Sequence, residues 1–303
     1  MVAHPDVPAL PGSTASRAAA PALPEGRARR GVLADTWTPV EGRPVYARVS
    51  WDAPLDGALP VVLVHGLVVS SLYMVPVMRH LAPYRRVLAP DLPGFGRSWK
   101  PRRVLGVSAL ADALGAWMGA AGIGRALLVG NSMGCQIAVD VAVRQPELVA
   151  GLVLIGPTMD PRDRTLRGEA WRLARALVHE PPALHAIELV DGVRFGVRRL
   201  YATARYALND PIQSKLPLVR QPALVLRGEH DPIVPTAWAE QVAALLPYGR
   251  ANTVPGAGHA INLDSPAELA RVVRPFACAI ERGLRTGAHD NAIADGSAHV
   301  LRR

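Results

Sequence analysis

Apolar residues in this chain gather into short continuous runs separated by longer stretches with helical spacing. "LPVVLVHG" (59–66), "RALLVG" (125–130), "VAGLVLIG" (149–156) and "PALVLRG" (222–228) are runs of the kind buried on both faces of a sheet. "RPVYARVSW" (43–51) reads as an earlier strand, "RRVLAPDLPG" (85–94) as a strand ending in a Pro-Gly turn, and "RANTVPG" (250–256) as a weaker last strand. Helical spacing predicts helices over 70–82, 108–122, from Met133 to about Arg144, 236–246 and 266–283. Pro76 must occupy the first turns of the first helix or kink it, and Pro146 stops the third. Strand and helix alternate, so the expected fold class is α/β: a mostly parallel central sheet flanked by helices.

The alternation fails only between Gly156 and Leu216, a long, apparently helical interval, which predicts an inserted helical cap over the carboxyl edge of the sheet. The expected layout is a leader at 1–30, core at 31–156, cap at 157–216, core again at 217–285, and a tail at 286–303. The leader is rich in Ala, Pro and Arg and the tail lacks an apolar period, so both read as disordered. Residues 162–205 carry nine arginines against five acids. Either these arginines form a solvated helical surface, or one or two face the cleft and select an anionic substrate. Trp171, Phe195, Tyr201 and Tyr206 are candidates for an apolar pocket or plain core.

Half of the 303 residues are hydrophobic, and the formal net charge is +9. That charge invites a nucleic-acid reading. Against it, the arginines are scattered, lysine occurs only at Lys100 and Lys215, and aromatics make up 5% of the chain. No nucleic-acid partner is expected. No run approaches the roughly 18 apolar residues of a membrane span, and the proline-rich start (Pro5, Pro8, Pro11, Pro21, Pro24) lacks the apolar segment of a secretory signal. A cytoplasmic location is the expectation. Two cysteines, Cys135 and Cys278, argue against a disulfide framework, and Cys135 reads as a small buried apolar residue.

The stretch "RALLVGNSMGCQIAVDVA" (125–142) carries the sharpest chemical signal. Gly130-Asn131-Ser132-Met133-Gly134 fits G-x-S-x-G, in which a serine sits on a sharp strand-to-helix turn. Here it follows a predicted strand and precedes a predicted helix. A serine hydroxyl needs a base to take its proton, so an acid and then a histidine should follow in the chain. Asp231, in "VLRGEHDPIVP", and His259, in "VPGAGHAINLDSP", each follow a predicted strand in that order. Glu229 and Asp160 compete for the role of acid, and Asp264 reads as a cap before Ser265-Pro266. There is no HExxH, CxxC pair or G-x-x-x-x-G-K-[ST], so no metal or organic cofactor is expected.

With these residues in place, 36–283 resembles the α/β-hydrolase family. The resemblance implies Ser132 as nucleophile, Asp231 as orienting acid (its D-x-x-V-P is complete with Val234 and Pro235) and His259 as general base. It implies backbone N–H groups of Leu67 and Met133 as an oxyanion hole, because His65-Gly66 ends the strand where the family places its oxyanion loop. "DLPGFGRS" (91–98) is similar to the family's D-x-x-G-x-G-x-S turn, which makes His65 and Asp91 scaffold. The implied activity is hydrolysis of a small to medium ester, a small-molecule substrate. Two alternatives use the same triad: a C–C bond hydrolase of ring-cleavage products, whose elbow is similar to G-N-S-M-G, and a perhydrolase or acyltransferase. Leu67-Val68-Val69 and Ala260 depart from the C–C hydrolase pattern. A serine at position 132, where dehalogenases and epoxide hydrolases have aspartate, disfavours both. The non-enzymatic alternative is a ligand binder built on the same fold.

Overall fold

The structure, a computed structural model, describes residues 32–50, 58–163, 165, 168 and 182–286. The expected leader, the tail beyond Thr286, Trp171 and four of the interval's arginines (164, 167, 172, 175) lie outside the described residues.

Eight strands form one sheet: β1 (Leu33–Val40), β2 (Arg43–Ser50), β3 (Val61–Val64), β4 (Val87–Pro90), β5 (Ala126–Asn131), β6 (Val149–Ile155), β7 (Ala223–Gly228) and β8 (Gly249–Val254). Their order is β1-β2-β4-β3-β5-β6-β7-β8. β2 runs antiparallel to β4, and from β4 to β8 every pairing is parallel. Each predicted strand forms within a few residues of its expected bounds. β1 is additional. Its sequence, LADTWTPV, has little apolar alternation and leaves Trp37 54% exposed. It forms because it pairs with β2 from Leu33↔Ser50 to Val40↔Arg43. The hairpin turns at Glu41-Gly42, both at positive φ (49° and 74°), the backbone that suits the twist of a two-residue turn.

The helices are α1 (Val75–Leu81), α2 (Val107–Ala120), α3 (Met133–Arg144), α4 (Pro182–Phe195), α5 (Val197–Asn209), α6 (Ile212–Lys215), α7 (Thr236–Leu245), α8 (Ile261–Asp264) and α9 (Pro266–Thr286). A 3-10 turn, Ser71–Met74, precedes α1, and Pro76 occupies the first turn of α1. The pleat of the sheet sorts the core into two layers. Val62, Val64 and Leu128 face α2, α3 and α7, whereas Val61, Leu63 and Leu127 face α1 and α9. α3 lies so deep that every residue from Met133 to Ala142 is buried.

Between β6 and β7 the chain leaves the alternation, and α4, α5 and α6 occupy the described part of this excursion. Its return is tied to α3 by charge. Lys215 donates to Asp140 of α3 at 2.7 Å and also to Asp210, while Gln136 of α3 donates to the carbonyl of Ala207 at 2.8 Å. Both carboxylates are buried, and Lys215 compensates both, with Arg144 also on Asp140 at 2.6 Å.

Candidate active site

Parallel strands deliver their carboxyl ends to one edge, and the chemically interesting residues stand there. Ser132 follows β5 directly and opens α3 at φ 55° and ψ −121°, a conformation few side chains tolerate. Its N–H donates to Ile155 of β6 at 2.9 Å. The flanking glycines are required by contact: a β-carbon on Gly130 would lie 2.5 Å from the Gly134 carbonyl, and one on Gly134 would lie 2.2 Å from the Val64 carbonyl. The turn therefore leaves Ser132 half-buried amid fully buried neighbours.

Asp231 and His259 meet across two loops. His259 Nδ1 lies 2.8 Å from Asp231 Oδ2, while Asp231 Oδ1 accepts from the amides of Ile233 (2.8 Å) and Val234 (3.0 Å). Both side chains are buried. Burial pushes the Asp231 carboxyl up, but the facing His259 and the two amide donors outweigh it and hold the carboxyl below its usual range. Asp231 is thus a carboxylate, and His259 Nδ1–H is the donor. Competing carboxylates are engaged elsewhere. Glu229 accepts from the Gly256 amide at 2.8 Å, and Asp160 takes the Arg162 guanidinium at 2.7–3.1 Å.

His65 ends β3 and is fully buried. Leu92 N–H donates to its Nε2 at 3.1 Å, so Nδ1 carries the proton and donates to Gly66 O at 2.9 Å. Burial lowers its pKa, which keeps the ring neutral. Asp91 accepts from the amides of Ser71 and Arg97, each at 2.7 Å. Both residues are bound to backbone, as scaffold would be. Gly66 lies against Ser132: a β-carbon there would be 3.3 Å from Ser132 Cβ. Leu67 follows Gly66 in the chain, and Met133 follows Ser132. Val68 then adopts φ 71°.

Several supports had no recognisable signal in the sequence. The Arg227 side chain donates to the carbonyls of Val234 (2.6 Å), Glu229 (3.1 Å) and Asp231 (3.1 Å), clamping the Asp231 loop from within. Asn131, the variable position of the elbow, donates to the carbonyls of His259 (3.3 Å) and Ile155 (3.4 Å). Asp264, expected only as a cap, accepts from Gly258 N–H at 2.8 Å and steadies the loop before His259. The D-x-x-V-P context marks the loop that Arg227 grips, but nothing local marks Arg227.

Five of the nine arginines of the interval 162–205 lie among the described residues. Arg162, Arg194, Arg198 and Arg205 are exposed, and Arg199 donates to the Pro101 carbonyl at 3.0 Å. Turned inward from α4 instead are Leu184, Asp191 and Phe195. Phe195 stacks on Phe95 at 4.5 Å, and Phe95 packs on His65 at 4.8 Å. Tyr201 and Tyr206 are exposed. Cys135 is buried and donates to the carbonyls of Gly130 and Ile155, and burial raises its thiol far above the ordinary value. It is held as a thiol. Among the described residues no group of His, Cys, Asp and Glu side chains converges as a metal-ion site, and no helix is long and apolar enough to cross a membrane.

This geometry agrees with what the chain is similar to. A sequence model of the alpha/beta hydrolase family matches residues 61–272. A pimeloyl-[acyl-carrier protein] methyl ester esterase from Xanthomonas campestris pv. campestris is 27% identical over 251 residues, covering 73% of this chain and 95% of the esterase. A 2-hydroxy-6-oxo-2,4-heptadienoate hydrolase from Pseudomonas putida is 26% identical over 255 residues, covering 73% and 89%. Among solved structures, an esterase from Thermogutta terrifontis aligns with a TM-score of 0.66 at 23% identity, over 82% of this chain and 99% of its own.

Proposed function

The chain belongs to the alpha/beta hydrolase family, and from that membership we propose that it is a serine hydrolase of small to medium carboxylic esters, with Ser132, His259 and Asp231 as its triad. The observation that carries this reading is the 2.8 Å contact between His259 Nδ1 and Asp231 Oδ2 at the sheet edge that also holds the Ser132 turn. Ser132 Oγ attacks the ester carbonyl while His259 takes its proton and passes it to the leaving alcohol. Asp231 stabilises the imidazolium formed in between. The carbonyl oxygen becomes an oxyanion, for which the N–H groups of Leu67 and Met133 are the proposed donors, Met133 adding the positive end of the α3 dipole. Water cleaves the acyl-enzyme by the same route. The excursion 157–216 is the proposed cap, which closes over the acyl group and excludes water.

Labelling by a fluorophosphonate with the mass increment on Ser132, together with loss of turnover in a folded Ser132→Ala protein, is the expected result. A folded Ser132→Ala protein with full turnover overturns the serine mechanism. An unlabelled wild-type protein leaves a ligand binder on this fold.

The similarity to a dienoate hydrolase, together with the elbow G-N-S-M-G, favours C–C bond hydrolysis as a second reading. A p-nitrophenyl ester series assayed beside ring-cleavage dienoates separates the two. Efficiency rising with each methylene, worth about 0.8 kcal/mol, until the pocket is full supports the esterase. Turnover of dienoates with no ester turnover puts the second reading first.

A further inference from the structure

Exposed apolar side chains concentrate on one short part of the excursion between β6 and β7. Eleven large apolar residues are exposed among the described residues, and six of them (Leu189, Val190, Val193, Val197, Tyr201 and Tyr206) fall on α4 and α5. The two most exposed, Val193 at 77% and Val197 at 83%, flank Gly196, whose φ of 81° turns the chain from one helix into the next. Leu189, Val190 and Val193 share the outer face of α4 at helical spacing. The inner face of that helix is already packed: Leu184 and Phe195 are buried, and Phe195 stacks on Phe95 at 4.5 Å. A surface helix ordinarily turns a polar second face to water. Here the second face is apolar as well.

The charge around this corner has one sign. Arg194 and Arg198 each directly follow one of the two valines and are exposed, and the Arg205 guanidinium lies 5.9 Å from the centre of the Tyr201 ring. The acids between residues 182 and 209 are Glu188 and Asp191. Asp191 is buried, and Glu188 is half-buried with His185 3.7 Å away. Arg199 extends the positive surface: it donates to the Pro101 carbonyl at 3.0 Å, tying α5 to a loop whose Lys100, Arg102 and Arg103 are exposed. Neither 182–209 nor 99–106 contributes an exposed acid.

A folded protein partner is recognised through charges of both signs and hydrogen bonds that fix its register. This corner offers chiefly aliphatic side chains and guanidiniums. An anionic lipid surface asks for that combination, because apolar side chains enter the acyl boundary while basic groups stay among the headgroup phosphates. Arginine suits the boundary, since its stem can lie along apolar surface while its head pairs with a phosphate. We propose that the α4–α5 corner is a docking surface for an anionic lipid layer, with Val193 and Val197 entering the layer and Arg194, Arg198 and Arg205 held at its phosphates. Docking here does not depend on the serine hydrolase reading above.

Sedimentation with vesicles tests it, using phosphatidylcholine alone and phosphatidylcholine with about one third phosphatidylglycerol, which supplies the negative surface. The full chain should partition into the anionic vesicles about 10-fold or more above the neutral ones, and the difference should shrink as salt rises. Val193→Ser combined with Val197→Ser keeps the charge and should weaken partition into anionic vesicles about 10-fold. Arg194→Gln combined with Arg198→Gln should weaken it about 20-fold at low salt. Tyr248→Ser, just before β8 at the amino edge of the sheet, should leave it unchanged. The replaced valines and arginines are exposed, so circular dichroism should show an intact fold. No preference for anionic vesicles overturns the docking surface. Equal partition by the serine pair overturns it too, since only the net charge of the chain would then be at work. Retention on immobilised polyglutamate without vesicle binding replaces the lipid with an acidic protein. A dimer at sedimentation equilibrium that the serine pair dissociates, again without vesicle binding, makes the corner a contact between two copies of this chain and overturns the lipid.

Discussion

Gly156 lies close against the imidazole of His259: a β-carbon at Gly156 would come within 2.7 Å of His259 Cε1 and 2.8 Å of Nδ1. Gly156 also has φ 55°, so both its backbone and its missing side chain are needed. Gly156→Ala should push the ring off the Asp231 carboxylate. Turnover is expected to fall about 100-fold, the scale of a misplacement of roughly 1 Å, while the protein stays folded. Ester turnover beside a melting curve checks it, and a fully active Gly156→Ala protein would show that the ring position is not critical.

Asp231→Asn should reduce kcat by about 10⁴, as loss of the orienting carboxylate does in a well-studied triad enzyme. Asp160→Asn should do far less, because its carboxylate is spent on Arg162. Stability has a matching signature. The Asp231 carboxyl lies below the ordinary 3.8 in the folded state, so its stabilisation is whole above about pH 4 and is lost as pH falls through the folded value. Urea midpoints below pH 4 should therefore fall more steeply for the wild type than for Asp231→Asn.

Asp191 has the opposite sign. Burial raises its pKa above the ordinary 3.8, with Asp91 adding repulsion and the Ser70 hydroxyl opposing it. The cost of its charge is absent below the unfolded value, accrues as pH rises to the folded value, and is constant above it. Asp191→Asn should raise the melting temperature at pH 7 and change it little at pH 3. Equal shifts at both values would mean that packing, not charge, differs between the two proteins.

Lys215 stands between two buried carboxylates, Asp140 and Asp210. Lys215→Met should destabilise the fold by about 3 kcal/mol, the low end for breaking a buried pair, since Arg144 and Ser108 still contact Asp140. Adding Asp210→Asn should return part of the loss by removing the orphaned charge. Chemical denaturation of the single and double variants decides it.

Much of this molecule was legible in the order of its residues. Continuous apolar runs such as Val61–Val64 and Val149–Ile155, short and rich in β-branched residues, read as buried strands, and glycines spaced around Ser132 announce a turn in which backbones touch. These signals are local, so they survive without a structure. Ser132, Asp231 and His259 were singled out the same way, each from the few residues around it, and the structure brings His259 and Asp231 within 2.8 Å. What lay outside sequence reasoning depends on which distant groups converge. Glu229 and Asp231 are two residues apart, yet one reaches the Gly256 amide and the other His259, a difference set by the path of two loops. β1 exists through its pairing with β2, not through its own weak pattern. The Arg227 clamp is aimed at carbonyls, which every residue carries and no pattern distinguishes. Arginines outnumber acids between 162 and 205, yet α4 turns Asp191 inward and leaves Arg194 at the surface. Composition counts charges, but which charge faces the site depends on how the helix packs.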